Sequence, residues 1–385
     1  MSPNKIADLS VTLYNSLPKT GKPKGNEWTI LSSIVQEGPN GNFTVVSLGT
    51  GSKCIGQSKM CPNGTILNDS HAEVICRRGF IRYLLSEINP ASKIFNLNKQ
   101  TNKFILKNGI KFHFFTTHVP CGDAAIFPKD SEEDCGRILR YNNSNVEPAN
   151  KKRKIEEDIY RTGAKCLRND FRQDPKGEGQ DYHVLGAVRI KPGRGDPTQS
   201  VSCSDKLAKW CHLGLQGALL MHFLEIPVYF ETFVILTGTP FSCEALERAL
   251  SKRLGDVKLI KPYKRHVPFI CVADKVDFCH KKSDGKQPCD TSIIWFIEGE
   301  EKVLEVAVNG RRQGVTKKQL LKKGNLTVCK SDIFKVFLKK FDKENVSYKE
   351  AKESSRNYQN NWGILKESFG AWTLKDPALL EFNVT

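Results

Sequence analysis

Hydrophobic and polar positions along the chain change period several times, and each change predicts an element. Phe43-Thr-Val-Val-Ser-Leu48 has the β-branched and aromatic content of a strand and runs into the glycine-rich turn Gly49-Thr-Gly-Ser52-Lys53. From Ser70 onward Val74, Ile75, Ile81, Leu84 and Leu85 recur at spacings of three and four, which predicts a helix that Asn89-Pro90 ends. Lys111-Phe-His-Phe-Phe-Thr-Thr-His118 predicts a second strand, and Val119-Pro-Cys121-Gly122-Asp123 turns out of it toward a short helix. A helical period resumes after Cys203 through Trp210, Leu213, Leu215, Ala218 and Leu219. Strands are expected at 227–236 and 292–298, with a basic helical end over 317–352. The greasiest segment, Leu213 to Leu236, carries His222, Glu225, Pro227 and Glu231, so it predicts core rather than a membrane span. Residues 141–197 break the pattern with Asn142-Asn-Ser-Asn, the basic run Lys151-Lys-Arg-Lys154 and many Gly, Asp and Arg residues, and they are read as a long polar surface insertion. No repeat or interdomain linker stands out, so one mixed α/β domain over 1–385 carrying that insertion is expected.

Composition narrows the partner class. Lys plus Arg number 59 against 42 Asp plus Glu, a formal net charge of +17, which predicts attraction to polyanions such as nucleic acid or phosphorylated ligands. Hydrophobic residues at 39% and charged residues at 26% exclude a disordered or fibrous chain. No basic patch leads into an apolar stretch between Met1 and Leu17, so an intracellular protein of nucleus, cytoplasm or both is expected, with no membrane partner. No obligate protein partner is evident either. In that setting most of the thirteen cysteines are expected as thiols, which opens the question of metal ligation.

His71-Ala-Glu73 opens the first helix and is the H-x-E half of a zinc deaminase signature. It competes with a structural reading, because Ser70-x-x-Glu73 also has the form of a capping box. Pro120-Cys121, placed where a strand again hands over to a helix, favours the chemical one. A helix amino terminus stabilises a thiolate, and zinc with three protein ligands keeps a fourth position for water, whose pKa it lowers to about 7. Glu73 is then placed to move the proton without binding the metal. The usual pattern asks for a second cysteine three residues after the first, where this chain has Ala124. Spacing leaves Cys135, Cys166, Cys203 and Cys211 open as the third ligand.

Six segments in order resemble the family of adenosine deaminases acting on RNA: Gly49-Thr-Gly-Ser-Lys-Cys54, Asn68-Asp-Ser-His-Ala-Glu73, Pro120-Cys-Gly-Asp-Ala124, Arg161-Thr-Gly-Ala-Lys-Cys166, Lys191-Pro-Gly-Arg-Gly-Asp196, and Ser202-Cys-Ser-Asp-Lys206 with Gly214-x-Gln-Gly-Ala-Leu219. The resemblance implies a cytidine-deaminase-like α/β fold, a central mixed sheet with helices on both faces. It implies zinc held by His71, Cys121 and Cys203, with Glu73 as the proton carrier. Ser52 and Lys53 match positions that approach the flipped nucleotide and its backbone. The chain has little room for double-stranded-RNA-binding domains, and Ala125 stands where messenger-editing members commonly carry arginine. Both details point to the transfer-RNA branch, whose members convert the adenosine 3′ of the anticodon of alanine tRNA to inosine. A messenger or double-stranded RNA editor is the nearest rival, and a catalytically silent RNA-binding module a more distant one.

The family also encloses inositol hexakisphosphate. The matching positions are Asn68, Arg77, Arg78, Lys206, Lys209, Trp210, Gln216 and Lys330, followed by Tyr348, Lys352, Tyr358, Trp372 and Lys375. Lys209 departs from the arginine of some members, and Trp362 falls where a lysine is expected. Without the resemblance, Arg77 and Arg78 read as a solvated helix face and Tyr348 and Lys352 as an i,i+4 surface pair. A separate group, Cys271, Cys279, His280 and Cys289, lacks a tight C-x-x-C pair and reads as ordinary thiols rather than a zinc knuckle.

Overall fold

The structure, a computed structural model, describes residues 2–129, 159–167, 184–193, 195–315, 324–341, 345–374 and 376–384. Its frame is an eight-stranded mixed sheet. In chain order the strands are β1 (Leu31–Glu37), β2 (Phe43–Thr50), β3 (Lys111–Thr116), β4 (Thr232–Leu236), β5 (Phe269–Ala273), β6 (Thr291–Glu298), β7 (Glu301–Val308) and β8 (Arg311–Arg312). In space they run β5-β4-β3-β1-β2-β6-β7-β8. The pairs β3–β4 and β4–β5 are parallel and the rest antiparallel.

Strand alternation splits the core into two layers. On β3, Phe112 and Phe114 face one layer and Phe115 the other. The first layer is covered by the helix α2 (Ala72–Ser86), with Phe80 edge-on to Phe112 at 4.8 Å and Phe114 stacked on Phe233 of β4 at 5.7 Å. The second layer is closed by α1 (Pro3–Ser16), which buries Ile6, Ala7, Val11 and Tyr14 against Val35, Leu48 and Phe115. Pro3 in its first turn suits a helix start. Helices therefore lie on both faces, as the family resemblance implied. Among the described residues, no helix is long and apolar enough to cross a membrane.

Two glycines set how closely α2 sits on the sheet. A Cβ on Gly49 of β2 would meet Ala72 O, Cys76 N and Ile75 Cγ2, each at 2.7 Å, and one on Gly79 would meet Ser47 Oγ at 2.4 Å before any shift. Ser47 Oγ meanwhile donates to Cys76 O at 2.7 Å. The glycine turn thus seats the helix that carries His71 and Glu73.

Strands appear at 43–50, 111–116 and 291–298 and helices at 72–86 and 203–213, close to expectation. Others differ. The strand expected from 227 begins only at Thr232, because Pro227 lacks a ladder N–H and Val228 O is taken by Leu215 N at 2.8 Å. The basic helical end divides into two helices, Lys330–Leu338 and Tyr348–Glu353, the second started by a capping box between Ser347 and Glu350, and an unforeseen helix, Arg356–Phe369, follows. Part of the expected 317–352 segment, residues 317–323 and 342–344, lies outside the described residues, as do Cys135 and the basic run 151–154.

Where the stretch expected as a surface insertion, 141–197, is described, it mixes exposed and buried residues. Arg189–Ile190 pairs with Lys165–Cys166, and Arg189 and Lys191 are fully withdrawn from water. Lys191 pairs with the Asp69 carboxylate and Arg189 donates to Val184 O, so a polar composition disguised their burial.

Candidate active site

Asp69–His71 forms a short antiparallel pair with Ser52–Cys54, placing Ser52 opposite His71 and Lys53 opposite Ser70. His71 is the N-cap residue of α2 and makes no side-chain cap bond, so the capping-box alternative for Ser70 and Glu73 is not realised. Instead His71 Nδ1 bonds Asp69 Oδ1 at 2.8 Å and approaches Lys53 O at 3.2 Å. That fixes the ring and turns Nε2 inward as a lone-pair donor. Glu73, the second residue of α2, is buried with Oε2 lacking any hydrogen-bond partner, and burial pushes its carboxyl up. An unpaired buried carboxylate oxygen is costly unless a ligand or a proton completes it.

Cys203 is the first residue of α3 (Cys203–Leu213), whose N-cap Ser202 accepts from Asp205 N. Its backbone N–H donates to Cys121 Sγ at 3.3 Å. Cys121 precedes only a short 3-10 turn, Asp123–Ala125, so the idea of two ligands at two α-helix starts fits His71 and Cys203 rather than Cys121. Cys121 is hydrogen-bonded to both Cys203 and His71, which brings the three residues into one cluster. The bond from Cys203 holds the Cys121 thiol well below its ordinary range, while burial pushes Cys203 up. Among the described residues, no three His, Cys, Asp or Glu side chains already stand around a common metal position. The same holds for Cys271, Cys279, His280 and Cys289. The donor set of one imidazole and two thiols nevertheless suits zinc in chemistry and number, with Glu73 Oε2 left unpaired beside it.

Behind this cluster Lys191 Nζ reaches Asp69 Oδ2 at 2.8 Å and Cys203 Sγ at 3.1 Å, and Lys206 also pairs with Asp69. The two ammoniums hold the buried Asp69 carboxyl well below the usual carboxylate range against the cost of desolvation. Asp69 is therefore ionised and able to anchor His71.

The cluster opens into a cavity of about 590 Å³. Ser52 and Lys53 line it, together with Arg161, Lys191, His118 and Trp28. Ser52 Oγ and His118 Nδ1 are, like Glu73 Oε2, buried without partners. Lys53 pairs with Asp290 at 2.9 Å. Burial pushes the His118 imidazole down to about 4.

A second cavity, about 280 Å³, lies on the other side of Asp69. It gathers Asn68, Arg77, Arg78, Lys206, Lys209, Trp210, Gln216, Lys330, Tyr348, Lys352, Tyr358 and Trp372, all twelve described members of the expected set; Lys375 lies outside the described residues. Arg77 and Arg78 face this cavity rather than bulk water, and Lys352 sits over the Tyr348 ring at 5.3 Å within the same lining. Six cations thus meet one carboxylate, Asp69, among the described lining residues. Burial lowers Arg77 to about 10, and Gln199 Oε1 is an orphaned acceptor in the wall. So concentrated a buried charge suits a polyanion. Trp362 adds no charge here but lies 3.4 Å from Lys209 Nζ, measured to its ring centroid.

Sequence reading assigned no role to Asp69, Lys191, Trp28 or His118. The first two sat inside quoted motifs, and the signal available was a charge in an otherwise glycine-rich or turn context. Trp28 and His118 had no such signal.

Comparison with known proteins agrees with this architecture. A model of the adenosine-deaminase (editase) domain matches residues 47–376. The chain is 39% identical to a Drosophila melanogaster tRNA-specific adenosine deaminase 1, covering 98% of this chain and 96% of that protein, and 33% identical to the Homo sapiens protein of the same name, covering 99% of each. A Mus musculus double-stranded RNA-specific adenosine deaminase is 31% identical over 97% of this chain but only 32% of its own length. With the family model matching residues 47–376 and the relatives covered almost end to end, the chain belongs to the adenosine-deaminase (editase) domain family.

Proposed function

We propose that the protein is a zinc-dependent deaminase that converts adenosine to inosine in transfer RNA, at the position 3′ of the anticodon of alanine tRNA. The observation that carries the reaction is Glu73 Oε2, buried and unpartnered beside His71 and Cys121 in a cavity wide enough for a nucleoside. What favours transfer RNA is near end-to-end similarity to proteins named for it, whereas the relatives named for double-stranded RNA are about three times as long as the part that matches. The whole chain is read as a single deaminase domain with a polar insertion.

His71, Cys121 and Cys203 would hold zinc, which supplies Lewis acidity for activating water. Asp69 keeps His71 Nδ1 occupied so that Nε2 points to the site. Lys191 lies against Cys203 Sγ and stabilises negative charge there. Glu73 takes a proton from the attacking water, delivers it to N1 of adenine as oxygen adds at C6, and carries a further proton to the amino group, which leaves as ammonia. Adenosine and water become inosine and ammonia. Raising of the Glu73 carboxyl by burial suits a group that must hold a proton in mid-reaction. Ser52 Oγ, unpaired in the wall, is available to the ribose, and Lys53 would exchange its exposed Asp290 partner for the backbone. The cationic cavity is read as the seat of inositol hexakisphosphate, bound for structure.

The test is inosine detection after incubation with alanine tRNA, with a variant lacking the target adenosine, and with duplex RNA. Conversion confined to the first supports the reading. Conversion of duplex RNA alone favours the messenger-editing alternative, and none at all favours a silent binding module. Activity should weaken as salt rises, because phosphate contacts release counterions.

A further inference from the structure

The cavity above the zinc-ligand cluster has two parts that differ in exposure. Glu73, His71 and Cys121 form its floor. Its rim on one side is built from Trp28, Pro288, Lys282 and Asp290, where Lys282 and Asp290 are exposed and Trp28 is half-buried. Trp28 is held there because Glu27–Trp28 pairs in parallel with Gln287–Pro288. The Lys282 ammonium stands 5.7 Å from the indole centroid. His118 lines the same cavity beside the indole, with ring centroids 6.5 Å apart and planes tilted by 51°, and its Nδ1 is buried with no partner. Thus a stacking face, a cation and an unsatisfied hydrogen-bonding nitrogen share the lining of the site, on residues that the deamination step does not use.

Each element has a counterpart in a nucleotide. Bases stack on aromatic faces, phosphates seek ammoniums, and base edges satisfy buried polar atoms. A flipped adenosine has its reacting edge on the floor, so this side wall is left for its neighbour. Resting on the deaminase reading above, we propose that Trp28 and His118 bind the nucleotide adjacent to the edited adenosine, its base against the indole and hydrogen-bonded to His118 Nδ1, its phosphate near Lys282. They are specificity-determining positions rather than parts of the proton-transfer machinery. The pair makes the rate depend on which base flanks the target.

The experiment uses the full-length protein and a target RNA in three forms: intact, abasic at the 5′ neighbour, and abasic at the 3′ neighbour. Trp28→Ala and His118→Leu should each lose about tenfold in kcat/KM on intact RNA. Trp28→Phe, which keeps a stacking face, and His118→Asn, which keeps a polar atom near the Nδ1 position, should recover most of it. Against one of the abasic RNAs the loss should shrink to roughly twofold or less, since the contact is already gone. An equal loss on all three RNAs would overturn the assignment and make both residues structural. Wild-type protein that forms no inosine in any RNA would instead bring down the deaminase reading, and this inference with it.

Discussion

Lys191 donates to Asp69 across 2.8 Å with both side chains withdrawn from water, and the same ammonium touches Cys203 Sγ. Breaking a buried pair from one side leaves a charge without its partner, which commonly costs about 3 kcal/mol or more. Lys191→Met should therefore lower unfolding free energy by about 3 kcal/mol in chemical denaturation, Lys206 sparing Asp69 from complete isolation. An unchanged midpoint would show that the pair contributes no net stability.

Glu73 gives the opposite sign. Its Oε2 is buried and unpaired and burial disfavours its ionised form, so Glu73→Gln removes a charge that the folded state holds at a cost. Inosine formation should fall by roughly 100-fold to 10,000-fold, while the thermal midpoint holds or rises. Zinc content, measured by elemental analysis, should be unaffected. Retained activity would remove Glu73 from the role assigned to it.

Acid sensitivity should come in part from His212. It is fully buried on α3, Nδ1 bonds Ala208 O at 2.8 Å, and burial lowers it to about 4 from an ordinary 6.5. A histidine depressed on folding favours the native state above pH 6.5, and that contribution is lost as pH falls from 6.5 toward about 4, because the unfolded chain binds the proton first. The slope is roughly 1.4 kcal/mol per pH unit within that window. His212→Leu should flatten the stability profile there; an unaltered slope would locate the acid response elsewhere.

The cationic cavity predicts a phosphorus signal. Purified protein, denatured and analysed by mass spectrometry, should release a highly phosphorylated small molecule, and Arg77→Met should lower both its amount and the thermal midpoint. Protein free of phosphorus whose midpoint rises on Arg77→Met would mean that the six cations carry a repulsion no ligand offsets.

Much of this was legible in the sequence where periodicity and chemistry coincide. Val74, Ile75, Ile81, Leu84 and Leu85 announced α2, and His71, Cys121 and Cys203 are brought together. Resemblance, not spacing, singled out Cys203, since its distance in sequence from Cys121 carries no geometric information. Residues that resisted were of two kinds. Lys191 and Arg189 lie in polar sequence yet are buried, Lys191 drawn in by the Asp69 carboxylate and Arg189 donating to Val184 O. Trp28 and His118 meet only after the sheet has folded and the 287–288 segment has come alongside, a juxtaposition no local pattern encodes.

The strand order has a consequence for synthesis. β2 is flanked by β1, made just before it, and by β6, whose residues 291–298 are translated some two hundred and forty residues later. Until then a hydrophobic strand emerging from the ribosome keeps one row of N–H and C=O groups open to any passing strand. Seating α2 across β2 and β6 also waits for that late partner. Chaperone dependence during translation, and sensitivity to truncation before residue 298, follow from where the last neighbour of β2 lies in the chain.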